Sequence, residues 1–204
     1  MKVVVTGGCG FIGSHLVERL VRGGFEVTVV DSLRSGQTEN LSGLRDNITL
    51  LVEDIREDGR WRDEVSKSKV VFHLAALADI VPSIQDPKEY FSTNVSGTVN
   101  VVEAAKQNKT KVIYAASSSC YGIPEFFPTP ENAEIRPEYP YALTKRLGEE
   151  IVLHWSKVYG LDAISLRLFN VYGPRSRTSG AYGAVMGVFL SLIHISEPTR
   201  PERI

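Results

Sequence analysis

The chain has 204 residues, 43% of them hydrophobic and 23% charged, with a formal net charge of -1, the make-up of an ordinary globular protein of one domain or one and a half. A charge so close to zero, with no basic runs, removes any electrostatic case for nucleic acid or an anionic membrane as partner. No apolar run approaches the roughly 18 residues of a membrane span, and the first residues enter a strand directly, leaving no room for a secretory leader; a cytoplasmic protein is expected.

The first stretch, KVVVTGGCGFIGSHLVERL, reads as strand, turn and helix. Lys2 to Thr6 is a β-branched apolar run, Gly7, Gly8, Gly10 and Gly13 follow, and then Phe11, Ile12, Leu16 and Leu20 recur at helical spacing. The glycines can be spaced as GxxGxxG from Gly7 or GxGxxG from Gly8. Such residues are needed where backbone turns sharply and a pyrophosphate must approach its amides, and the last glycine lets helix and strand pack closely. The helix start then faces the phosphates with unpaired N–H groups. A second strand, Glu26 to Val30, ends in Asp31, about twenty residues on, where an acid meets the adenine ribose. Gly7, Gly10, Phe11, Ile12, Gly13 and Asp31 are therefore expected at a dinucleotide.

The polar connection after Asp31 would lie beside the adenosine half of that cofactor. Arg34 in it would suit a 2′-phosphate, but the Asp31 carboxylate would repel one, so NAD is expected rather than NADP. Ile48 to Val52 is the third strand, with Asp54 and Ile55 at its carboxyl end, where ligands of open α/β sheets collect. Asp54 is a candidate for the adenine, the alternative being a loop acid in solvent. Lys69 to Leu74 is the fourth strand; Leu74, Ala75 and Ala76 would let backbone approach the cofactor, and His73 reads as a hydrogen-bonded core histidine. Asp79 to Pro87, with two prolines, reads as loop. Lys88 to Lys106 has helical periodicity, interrupted by Asn94, which would pair with backbone beneath the site or against the loop before it. Lys111 to Ala116 is the fifth strand and runs into Ser117, Ser118 and Ser119. A proline-rich connection leads to a helix over Tyr141 to Tyr159 and a sixth strand over Ala163 to Leu168. Alternating apolar strands and helices predict an α/β fold, a doubly wound parallel sheet of Rossmann type with strand order 3-2-1-4-5-6.

Tyr141 and Lys145 stand four apart at a helix start, so they share a face. A phenol with a reference pKa of about 10 is a poor base, but a neighbouring ammonium and a positively charged nicotinamide favour its ionised form. A Ser117 hydroxyl could bond the same substrate oxygen. These are parts for deprotonating an alcohol while hydride leaves its carbon for NAD. Cys9 and Cys120 have neither metal-ligand spacing nor a disulfide framework; they read as small buried hydrophobes, and no metal site is expected.

Taken in order, TGGCGFIGSHLV, Asp31, HLAA, NVSGTVNVVEAA, SSSCYG, YALTK and LRLFNVYGPR resemble the extended short-chain dehydrogenase/reductase family, in its NAD-dependent nucleotide-sugar epimerase/dehydratase branch and near the UDP-glucose 4-epimerases. The likeness runs from Met1 to about Phe189. It implies that Tyr141 is the base, that Lys145 orients it and holds the nicotinamide ribose, and that Ser117, four before Tyr121, bonds the sugar hydroxyl beside Ser118. It also implies Asn170 near the sugar-nucleotide pyrophosphate, NAD contacts at Asp54, Ile55, Leu74 to Ala76 and Asn94, and a homodimer built on the helices 88–106 and 141–159. The 4,6-dehydratases resembled here place Asp-Glu where this chain has Ser118 and Ser119, so epimerisation at sugar C4 is favoured over a dehydratase or reductase; a non-catalytic NAD-binding module is the reading from another class. The last residues, LSLIHISEPTR from Leu190 to Arg200, look like translated sequencing adapter. The expected organisation is an NAD-binding domain over 1–170, the start of a substrate-binding part over 171–189 and a non-native tail over 190–204, with most of the substrate domain missing and His194 and Glu197 not taken as ligands.

Overall fold

Residues 1–176 are described by the computed structural model. Strands β1 (Lys2–Thr6), β2 (Glu26–Val30), β3 (Ile48–Leu51), β4 (Val70–His73), β5 (Lys111–Ser117) and β6 (Ala163–Leu168) form a parallel sheet in the order β3-β2-β1-β4-β5-β6, as expected. Each valine of β1 has a face to fill. Val3 and Val5 join Val27, Val29 and, from helix α1 (Phe11–Arg22), Val17 and Leu20 in one core. Val4 points the other way, into a core with Val71 and Val112 that is completed by Trp61 and Val65 of α2 (Trp61–Lys67) and further helices. Apolar residues without alternation are what a strand covered on both sides requires.

The segment Asp79 to Pro87, expected as loop, contains helix α3 (Ile80–Gln85) and the start of α4 (Pro87–Tyr90). Pro82 is the third residue of α3 and Pro87 the first of α4, within first turns, whose N–H groups have no intrahelical partner to lose. The helix expected over Lys88 to Lys106 is three pieces: α4, a π-helical stretch over Phe91–Ser96 containing Asn94, and α5 (Gly97–Lys106). The connection after Asp31 carries a 3-10 helix over Thr38–Asn47, anchored in the first core by Leu41.

Helix α6 (Pro140–Tyr159) begins with proline at its first position and ends at Gly160, whose φ of 66° is left-handed. It lies close against β5 because Gly148 has no side chain; a Cβ there would collide with the Tyr114 hydroxyl. The chain divides into two units, Met1–Phe169 and a second beginning at Asn170. Most of the expected substrate-binding start and the whole tail, His194 and Glu197 included, lie outside the described residues. Among those residues no helix is long and apolar enough to cross a membrane, and no cluster of His, Cys, Asp and Glu could hold a metal ion.

Candidate active site

The glycine turn sits between the ends of β1, β2 and β4. Gly7 donates its N–H to the Val30 carbonyl at 2.8 Å and has φ 71°. A Cβ on Gly7 would stand 2.7 Å from the Ala75 nitrogen, and one on Gly13 would overlap the Gly7 carbonyl oxygen. Gly10 starts α1 without a side-chain cap, and no acid occupies the first turn. The N–H groups beginning at Phe11 and Ile12 are thus presented to an anion. Gly7→Ala is expected to strain the backbone by about 1–3 kcal/mol and push Ala75 out of line. Thermal unfolding and NAD titration should both register this change.

Gly7, Gly10, Asp31, Asp54, Ile55, Leu74, Ala75 and Ala76, eight of the residues expected at the cofactor, line one cleft at four strand ends; Phe11, Ile12, Gly13 and Asn94 are not among its lining residues. Asp31 is buried; its Oδ2 accepts from Cys9 N and its Oδ1 from Leu33 N, both at 2.9 Å. Burial raises its carboxyl pKa against those two hydrogen bonds. Asp54 is neither a free solvent acid nor unattached in the cleft. Arg56 Nε contacts both its oxygens (3.1 and 3.0 Å) and Nη2 lies 2.7 Å from Oδ2, holding its pKa down. Ile55 is 4% exposed and belongs to the core beneath. A turn that a Cβ would fill, an uncapped helix start and an acid at the end of β2 together fit a dinucleotide.

His73 is the core histidine expected. Thr98 Oγ1 donates to the Asn94 carbonyl at 2.6 Å, so His73 Nε2–H donates to Thr98 (3.0 Å). Nδ1 then accepts from Thr6 Oγ1 (2.8 Å), which accepts the Ala75 N–H (3.2 Å). Burial lowers the imidazole pKa to about 3, so the ring is neutral and serves to position the backbone at Ala75. Cys9 and Cys120 are buried, and burial raises both thiols, Cys9 to about 12; neither is an activated nucleophile.

Further along the same carboxyl edge of the sheet, β5 delivers Ser117 and α6 delivers Tyr141 and Lys145. Burial raises the Tyr141 phenol pKa, and the neighbouring Ser117 side chain pulls it down. Ser117 Oγ also accepts from Ser119, from its N–H at 3.2 Å and its hydroxyl at 2.8 Å. With both lone pairs occupied, its own proton is left as a donor. Lys145 is 4% exposed, its Nζ 4.4 Å over the Tyr114 ring, and burial lowers its pKa to about 7. Ser118 lies half-buried in the 3-10 turn Ser118–Tyr121 after β5.

Asn94 underpins this arrangement. Its Oδ1 accepts from Leu77 N (2.8 Å), and its Nδ2 donates to Leu77 O and to Thr144 Oγ1 (both 3.0 Å). Thr144 stands next to Lys145 and donates to the Tyr141 carbonyl at 2.8 Å. Both amide hydrogens of Asn94 are spent on protein, which gives it a positioning role through Leu77 and α6. Ser83 of α3 accepts the Tyr141 N–H at 3.1 Å, satisfying a first-turn donor of α6. Sequence reasoning missed Ser83, Ser119 and Tyr114 as supports; Ser119 was visible in the serine run, whereas Ser83 required knowing that α3 exists. Asn170 is exposed and opens the second unit.

The family profile described as "NAD dependent epimerase/dehydratase family" matches residues 3–201. The chain is similar to a solved UDP-N-acetylglucosamine 4-epimerase of Methanobrevibacter ruminantium in complex with UDP-N-acetylmuramic acid: 39% identity, TM-score 0.90, covering 95% of this chain and 63% of that one. It is also similar to the UDP-glucose 4-epimerase of Thermus thermophilus in complex with NAD, at 37% identity and TM-score 0.80, over 90% of this chain and 60% of that one. A UDP-N-acetyl-alpha-D-glucosaminuronate decarboxylase of Bacillus cytotoxicus is 36% identical over 93% of this chain and 60% of its own. The chain thus spans about three fifths of the length of these relatives. By the profile match over nearly all its residues, and by a turn, cleft and Ser-Tyr-Lys group that fit its cofactor, the chain belongs to the NAD-dependent epimerase/dehydratase family.

Proposed function

We propose that the chain is the cofactor-binding part, residues 1–170, of a nucleotide-sugar 4-epimerase, with 171–189 opening its substrate-binding part. The observation that carries this reading is the meeting of three groups: Ser117 at the end of β5, the Tyr141 phenol whose pKa it lowers, and Lys145 buried one turn further along α6. NAD, when bound, supplies a reversible hydride acceptor and a positive charge beside the phenol. Tyr141 takes the proton of the sugar C4 hydroxyl and later returns it. Ser117, its lone pairs filled by Ser119, donates to the same oxygen. Lys145, half protonated near neutral pH by virtue of its burial, favours the phenolate when charged. Ser118 and Ser119 offer no carboxyl group to eliminate water or assist decarboxylation, which favours epimerisation over the decarboxylase chemistry of one relative.

The two exposed C-terminal residues of α6, Val158 and Tyr159, with Leu143 and Leu153, leave apolar surface on that helix, which supports a homodimer in which α6 takes part. The test of function is to incubate the protein, expressed at the length of its relatives, with NAD and UDP-glucose or UDP-N-acetylglucosamine. Chromatography should show a mixture of C4 epimers without net NADH. A product that has lost water or carbon dioxide would replace this reading by a dehydratase or decarboxylase, and steady NADH production by an oxidoreductase.

A further inference from the structure

The adenosine end of the cleft carries more charge than a dinucleotide contact requires. Arg34 and Arg56 both line it, as do Asp31 and Asp54. Glu89 lies behind this wall on α4, where Asp86 caps the helix by accepting the Glu89 N–H at 3.2 Å. One carboxylate oxygen of Glu89, Oε1, takes both arginines: Arg56 Nη1 at 2.8 Å and Arg34 Nη1 in a close ion pair. The remaining donors of Arg56 are turned to Asp54. Arg34, whose side chain is half-exposed, stands three residues after Asp31. It is the cation nearest in sequence to the acid expected at the ribose, and its guanidinium is engaged by Glu89 at the cleft wall.

We propose that Glu89 is a specificity-determining residue for the cofactor: by holding Arg34 and Arg56 it withholds the cations that a 2′-phosphate would need, and so reinforces the choice of NAD over NADP. The proposal rests on the dinucleotide reading of the cleft. With Glu53 also lining the cleft, four acids stand against two arginines, an excess of two negative charges that opposes an additional phosphate. Asp31 alone would leave Arg34 free to swing back and offset it; Glu89 closes that route. Planar guanidinium groups are otherwise well suited to phosphate, so their capture has a consequence that an exposed surface pair would not.

The experiment titrates NAD and NADP separately into the whole chain by calorimetry, for the wild type, Glu89→Gln, Arg34→Ala and the Arg34→Ala/Glu89→Gln double variant. In Glu89→Gln the ratio of Kd for NADP to Kd for NAD should fall by about three- to fivefold, the upper size expected for releasing a partly exposed ion pair. The double variant should return to the wild-type ratio, because the released Arg34 is what binds the phosphate. Arg34→Ala alone should leave the ratio within about twofold, since Glu89 already withholds that side chain. An unchanged ratio in Glu89→Gln, or a gain that survives in the double variant, overturns the proposal. If Glu89→Gln unfolds, a changed ratio in Arg34→Ala overturns it equally. Failure of the wild type to bind NAD would instead bring down the dinucleotide reading, and the proposal with it.

Discussion

Tyr141→Phe, in the protein at the length of its relatives, is expected to lower kcat/KM for C4 epimerisation by about 10²–10⁴-fold, the usual contribution of a positioned acid–base group. The substitution removes one oxygen and leaves the ring, so the packing of α6 persists and NAD affinity should change little. The loss should fall mainly on kcat, because the proton transfer is made in the transition state and not in substrate binding. The structure shows why the phenol needs neighbours: burial raises its pKa, and among the described residues Ser117 acts in the opposite direction. A variant retaining more than a tenth of wild-type kcat would remove Tyr141 from the reaction.

Lys145→Met should make the chain more stable at neutral pH while abolishing activity. The Lys145 pKa is lowered from 10.5 to about 7 by burial, so the folded state releases a proton that the unfolded state keeps. Between those values the unfolded chain binds more protons, and stability therefore rises with pH. Below about 7 both states are protonated and the full penalty is present; above 10.5 neither is, and it vanishes. The depression corresponds to an upper bound of about 5 kcal/mol at neutral pH, of which relaxation and the contact with the Tyr114 ring leave a smaller part. Urea midpoints at neutral and alkaline pH should converge in Lys145→Met and diverge in the wild type. A methionine variant that is less stable at neutral pH would mean the ammonium is favourably accommodated in the fold. The cost of burying Lys145 is the kind of stability sacrifice that active sites make.

Strands and their order were legible because β1, β2 and β5 carry residues that suit only a sheet covered on both faces, and because glycines and acids mark their carboxyl ends. The helix carrying Tyr141 and Lys145 was legible from its spacing. Elements whose signals compete were not. Two prolines made α3 read as loop, although each proline stands in a first turn. The π-helical turn at Asn94 breaks the 3.6 period locally, and it is this break that turns the amide inward to Leu77 and Thr144. Asp54 was legible as a residue of the cleft but not as the partner of Arg56, and no local pattern relates Arg34 to Glu89, which is 55 positions on in the sequence. Long-range charge pairing leaves little trace in a single sequence, and here it surrounds the cofactor cleft.

The most direct test follows the C4 hydrogen. Proton NMR of the reaction of UDP-glucose with the protein at its relatives' length, run in D2O with NAD, should show the C4 epimer accumulating with its C4 proton retained and no net NADH. Retention is required if the hydrogen leaves C4 for the cofactor and returns to the same carbon without exchanging with water. Solvent deuterium at C4 of the product, or a product lacking the C4 hydroxyl stereochemistry altogether, would contradict that route and with it the roles assigned to Ser117, Tyr141 and Lys145.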